Sequence, residues 1–217
     1  MNKKLLLSFL VASSFATANA KNFDGFGVGG MLGRATQSIS ATAGDQTGEL
    51  FSSQDSKKQN FGEIFAIYGK NFNGLYLGGQ VSGFINGNGI NNNDEFKGMS
   101  KQKYAIAARL GYVFKAFDKE HMVYGSAGYT NISQRAYDVK DFNGNDVDRG
   151  YRTSKFAPTY AIGFETAITD NVTGRIELAR TMMSNARNFL STDGTVEITG
   201  YNTMTMNSVK LGLSYNF

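Results

Sequence analysis

Three charged side chains close together in sequence are the first candidates for chemistry: Glu165, Arg175 and Glu177. Two carboxylates with a cation between them can serve general acid–base catalysis, and equally a buried ion-pair network. Other candidates are few. The chain has one histidine, His121, and no cysteine, which removes His-dependent triads and most metal sites. The pair Asp94-Glu95 lies in an Asn/Gly-rich stretch without the regular ligand spacing of a calcium loop, so it reads as a solvated connection. His121 falls in a short charged turn, Asp118-Lys119-Glu120-His121. A general base must lie within hydrogen-bond reach of its nucleophile. In that turn His121 is expected to have no chemical role. No catalytic residue, cofactor or metal site is expected.

The elements that carry Glu165, Arg175 and Glu177 are two strands, Phe156–Ile168 and Val172–Met182, joined by the tight turn Thr169-Asp170-Asn171. Phe156, Pro158, Tyr160, Ile162, Phe164 and Ile168 share one parity, as do Val172, Ile176, Leu178 and Met182. The other parity is small, polar and charged. Period-two alternation means two environments on the two faces of a pleated strand. This hairpin alone does not say which face is inside.

The chain begins with a basic Met1-Asn2-Lys3-Lys4, an apolar run from Leu5 to Phe15, and the small-x-small site Ala18-Asn19-Ala20. That order is a secretory signal peptide, cleaved after Ala20, leaving residues 21–217 as one domain. The run is too short to span a bilayer as a helix. Of 22 basic and 18 acidic residues, Lys3 and Lys4 leave with the signal. The remaining charge is near balance, so no nucleic-acid partner is expected. With a single proline and 26 glycines, the composition favours strands over helices.

Read in order, the first strand is Asp24–Ala35, followed by a polar segment, Thr36–Gln59, without periodicity. Phe61–Tyr68 is the second strand; if Glu63 lies on the charged side, Phe65 and Ile67 lie there too. A turn over Lys70–Gly74 leads to strand three, Leu75–Ile85, and the Asn/Gly-rich segment Asn86–Lys101 comes next. Strand four is Lys103–Phe114 and strand five Met122–Thr130. The charged segment Asn131–Lys155, the hairpin of Glu165 and Arg175, and the polar segment Ser184–Thr203 precede a last strand ending at Phe217. Long connections alternate with short ones. Eight strands joined in this way form an antiparallel up-and-down meander, and closure into a barrel removes the sheet edges. Short turns on one side and long loops on the other are the outer-membrane pattern.

The charges select the faces. Arg109, Glu165, Arg175, Glu177 and Lys210 share the glycine-rich parity, and Glu63 joins them if the second strand takes the charged phase, which makes three of each sign. On the greasy parity Arg34 and Arg180 fall toward the strand ends nearest the long connections. A cation facing the bilayer midplane costs about 2–4 kcal/mol and almost nothing at the interface. The greasy parity is therefore the lipid face, and Tyr68, Tyr112, Phe114, Tyr215 and Phe217 are candidates for an interfacial girdle. A soluble ligand-binding barrel would need the reverse, an apolar lumen and a polar exterior. Balanced charges inside an eight-stranded barrel read as a mutually neutralised plug.

The blocks Ala108-Arg109-Leu110-Gly111-Tyr112, Gly163–Thr169, Arg175-Ile176-Glu177 and Leu211–Phe217 resemble the eight-stranded outer-membrane β-barrel superfamily. It includes the transmembrane domain of outer membrane protein A and the opacity-type surface proteins. The resemblance implies that Arg109, Glu165 and Arg175 take the positions of that family's lumen charges. Gln80 departs from it, standing where outer membrane protein A has a glutamate, and Glu177 or Glu63 is the substitute it implies. The terminal Phe217 resembles the aromatic end read by the barrel-insertion machinery. No peptidoglycan-binding domain comes after Phe217, so cell-wall anchoring is not expected. Residues and resemblance together imply a monomeric, non-enzymatic barrel in a Gram-negative outer membrane. It would contact membrane lipid and display four long loops for adhesion, host contact or envelope integrity. The alternative is a narrow, porin-like diffusion channel.

Overall fold

Residues that alternate between two chemistries pair most stably when each chemistry gets its own side of a sheet. Here the middle of each strand keeps one phase, with irregularities toward the long-connection end at Gln102–Tyr104 and Thr130–Ser133. The computed structural model describes residues 23–45, 48–86, 101–135, 152–190 and 197–217. It contains β1 (Gly25–Asp45), β2 (Gly48–Phe72), β3 (Leu75–Asn86), β4 (Lys101–Ala116), β5 (Lys119–Arg135), β6 (Arg152–Ala167), β7 (Val172–Leu190) and β8 (Glu197–Asn216). Each pairs antiparallel with the next, and β8 returns to β1 to close the barrel. Register partners lead from Gly27 through Ile67, Gln80, Ala107, Gly128, Thr159, Thr181 and Met206 back to β1 at Gln37, ten residues further on. That stagger over eight strands corresponds to a strand tilt of about 40°.

The short connections are tighter than their sequences imply. Asn73 and Gly74 link β2 to β3 with φ of 53° and 100°, while Phe117 and Asp118 link β4 to β5 at 51° and 60°. Two successive left-handed residues make the hairpin turn whose twist matches the flanking strands. The amide of Gly74 donates to Asn71 Oδ1 at 2.8 Å, and its carbonyl accepts from Val113 N at 2.6 Å. The third short turn is held by Thr169 Oγ1, which accepts from Val172 N at 3.1 Å. The charged turn expected at Asp118–His121 is thus only Phe117-Asp118, and His121 belongs to β5.

The long connections are corrected more strongly. Thr36–Gln59, read as aperiodic, is nearly all strand: β1 and β2 pair in an unbroken ladder from Arg34↔Asn60 to Ala43↔Phe51 and, past a bulge, reach Asp45↔Gly48. Likewise β5 and β6 extend to Arg135↔Arg152, and β7 and β8 to Leu190↔Glu197. The physical reason is that hydrophobic alternation marks a contrast between lipid and lumen. Above the membrane that contrast fades while backbone pairing continues. The signal segment 1–20, Asp94-Glu95 and the charged residues from Asp138 to Arg149 lie outside the described residues.

The glycine-rich parity does face the lumen, for a reason of space. Gly27, Gly29 and Gly33 of β1 stand opposite Ile67, Phe65 and Phe61 of β2, and a Cβ on any of them would run into those side chains. Gly163 accommodates the Tyr124 ring in the same way, and Gly212 accommodates Met31. The lumen is accordingly more apolar than its glycines and charges suggest. Phe23, Tyr76, Val113, Met122 and Tyr124 close the short-turn end. Near the other end Ile132, Ala157, Met183 and Met204 pack together. Outside, Leu32 is 77% exposed and Ile162 65%, which in water would be an aggregation surface and in lipid is a solvated one.

Candidate functional site

The six charges anticipated on the lumen side come from five different strands and converge between the two apolar layers. Glu63 lies on β2, Arg109 on β4, Glu165 on β6, Arg175 and Glu177 on β7, and Lys210 on β8. All six are buried. The register puts Glu165 opposite Arg175 and Glu177 opposite Lys210, so two of the ion pairs are cross-strand neighbours. Glu165 is the hub of one group. It accepts from Arg109 Nη2 at 2.9 Å, Arg175 Nε at 3.2 Å, Thr173 Oγ1 at 2.6 Å and Ser214 Oγ at 3.2 Å. Lys210 is the hub of the other, with its Nζ 2.7 Å from Glu177 and 2.9 Å from Glu63.

Gln80 of β3 joins the groups. Its Oε1 accepts from Arg175 Nη1 at 3.0 Å and its Nε2 donates to Glu63 Oε1 at 3.2 Å. An amide can donate and accept at once, which a carboxylate in that position cannot do. The substitution singled out in the sequence therefore becomes the neutral link between two charged clusters, with Glu63 and Glu177 both supplying negative charge. The network holds three formal charges of each sign.

Aromatic rings complete it. The Arg109 guanidinium lies 3.9 Å from the Tyr124 ring centroid, and that of Arg175 lies 4.3 Å from Phe65. Arg109 Nε and Nη1 and Arg175 Nη2 have no hydrogen-bond acceptor. The negative ring faces stand in for one, as they do for desolvated cations generally. Tyr124 also donates its hydroxyl to Glu177 at 2.7 Å. Sequence reasoning missed Tyr124, although it shares a parity with Met122 and Ser126 on strand five. Beyond the charges, Thr159 Oγ1 sits 2.8 Å from Thr130 and 2.9 Å from Thr181. A cavity of about 30 Å³ beside Glu63, Gln80, Gln102 and Lys210 has room for a water molecule or two.

Charge pairing and space filling are what this arrangement offers chemically. No three His, Cys, Asp or Glu side chains converge as metal ligands among the described residues. His121 projects outward, stacked between Phe114 and Phe164 at 5.6 Å from each, with Nε2 3.0 Å from the Ala116 carbonyl. Phe217 lies against the first strand, stacked on Phe26 at 5.7 Å, and its amide donates to the Phe26 carbonyl at 2.9 Å. Tyr68, Tyr112 and Tyr215 are exposed near the short turns, while Tyr104, Tyr129, Phe156 and Tyr160 are exposed nearer the other end.

A closed barrel with an apolar exterior and a polar, charge-paired interior is a transmembrane barrel. The chain matches the outer membrane protein β-barrel domain over residues 5–217 and belongs to that family of eight-stranded outer-membrane barrels. Its place is the Gram-negative outer membrane. In three dimensions it is similar to Neisserial surface protein A, at 15% identity and a TM-score of 0.44, covering 86% of this chain and 97% of that one. It is also similar to Ail, the attachment invasion locus protein of Yersinia pestis, at 12% identity and a TM-score of 0.38, covering 82% and 98%. No curated protein matches it in sequence.

Proposed function

We propose that this protein is a non-enzymatic surface barrel whose lumen is sealed and whose long-loop side makes contact with a host or envelope partner. The observation that carries this reading is a division of labour along the strands. The six charges and Gln80 form one neutral, buried network within the membrane span, while β1, β2, β7 and β8 continue well past the apolar band as paired strands. A rigid barrel that projects strands and connections into water is a scaffold for recognition. The lumen charges act here as a plug, the first 20 residues as a cleaved signal, Phe217 as the end presented to the insertion machinery, and the monomer as the working unit.

The test uses the chain's own trypsin sites. Lys140 and Arg149 lie in the connection between β5 and β6, and Lys70 and Lys119 lie beside short turns. Trypsin added to intact cells is expected to cut at the first pair and spare the second. Replacing residues 136–151 by a short Gly-Ser linker is expected to abolish attachment of expressing cells to host-cell monolayers, with heat-modifiable gel migration of the barrel unchanged. Unaltered attachment after replacing each long connection in turn would sink the display reading.

A further inference from the structure

The buried lumen network balances its six charges, whereas the outer surface does not balance its own. Among the described side chains, the outward face of β6, β7, β8, β1 and β2 carries no carboxylate. It does carry Arg34, Lys58 and Arg180 on the half nearer the long connections, all exposed and none with a hydrogen-bond or ion-pair partner among the described residues. Arg180 pairs with Asn207 of β8, and Asn207 pairs with Thr36 of β1, which pairs with Lys58 of β2. Arg34 lies two residues below Thr36 and pairs with Val209 and Asn60.

Tilt brings the two arginines level. A ladder row climbs ten residues over eight strands, about 1.25 per strand, so two strands on from Arg180 it has climbed roughly 2.5 residues to reach Thr36. Two residues below Thr36 is Arg34, at nearly the height of Arg180. From strand spacing and rise, their Cα atoms are about 12 Å apart, within the combined reach of two arginine side chains, with Asn207 between them. Directly toward the membrane centre lie Leu32, Ile162, Leu178, Val209 and Leu211, all exposed. Tyr160, exposed and paired with Arg180, marks the interface.

We infer that Arg34, Arg180 and Asn207, with Lys58 and Asn60 beside them, form a binding site for the phosphorylated sugar headgroup of an outer-leaflet glycolipid. Its acyl chains lie on the leucine and valine face below. Guanidinium groups match phosphate oxygens in a two-pronged geometry, and asparagine amides match sugar hydroxyls. A site of three cations without a carboxylate is complementary to an anion, and its position against the apolar band selects an anion that carries acyl chains.

Native mass spectrometry of the folded, full-length mature barrel, titrated with bisphosphorylated lipid A in detergent, tests this. The Arg34→Gln/Arg180→Gln variant is expected to bind at least tenfold more weakly than wild type. Arg34→Lys/Arg180→Lys is expected to bind between the two, and Lys70→Gln, which removes an outward charge beside a short turn, is expected to bind like wild type. Dephosphorylated lipid A is expected to bind the wild type no better than the double glutamine variant binds the phosphorylated form. Heat-modifiable migration confirms that each variant is folded before its affinity is read. Unchanged affinity of the glutamine pair, an equal loss in Lys70→Gln, or displacement of lipid A by millimolar inorganic phosphate would each overturn the inference, the last in favour of a simple anion site.

Discussion

Replacing Glu165 by glutamine removes one negative charge from the centre of the network while keeping the side chain's shape. Two buried ion pairs, at 2.9 Å to Arg109 and 3.2 Å to Arg175, lose their charge partner at once. Breaking a buried pair from one side costs about 3–5 kcal/mol, because the other charge is left uncompensated. Two terms reduce this. The glutamine oxygen still accepts one hydrogen bond, and the aromatic faces of Tyr124 and Phe65 already lie against the two guanidiniums. We expect a net loss of about 3 kcal/mol, roughly a hundredfold in the folding equilibrium. Adding Arg109→Met restores charge balance, so the double variant is expected to be more stable than Glu165→Gln alone. The assay is urea-induced unfolding in lipid vesicles, monitored by far-ultraviolet circular dichroism and by gel migration, since the chain has no tryptophan for fluorescence. Additive effects of the two substitutions, within about 0.5 kcal/mol, would mean that the pair is not coupled and would refute the reasoning.

The same geometry sets other outcomes. In planar bilayers the wild-type barrel is expected to show no steady conductance. Lys210→Ala, which uncovers Glu63 and Glu177 beside the small cavity, is expected to admit a flickering, cation-selective current; an ohmic current of equal size in both would reverse the plug reading. Gly163→Val forces a side chain into the Tyr124 ring and is expected to cost about 1–3 kcal/mol in the same unfolding assay. Phe217→Ala is expected to lower the amount of barrel inserted in cells while leaving refolding of the purified chain in detergent at its wild-type yield. Equal insertion in cells would remove the terminal aromatic from the assembly signal.

The membrane-spanning barrel was legible because its two faces meet chemically opposite surroundings. Glu165 and Arg175 on one parity, with Ile162 and Leu178 on the other, report that contrast directly, and six charges of balanced sign on the glycine side report a lumen. Where the contrast ends, the sequence falls silent. Thr36–Gln59 has no apolar face to keep out of water, so nothing in its residue order distinguishes a paired strand from a loop, yet β1 and β2 pair through it. Strand number and the two faces of each strand were thus set by local alternation, and which face meets lipid by the sign and depth of the charges.

Which charge meets which was not. Gln80 and Lys210 stand 130 positions apart, and both reach Glu63 only because a stagger of ten residues over eight strands carries β3 and β8 to the same level. The same stagger aligns Arg34 with Arg180 on the outside. Hydrogen-bond register around a closed sheet is a global quantity, decided when the last strand meets the first. No stretch of sequence shorter than the whole barrel encodes it.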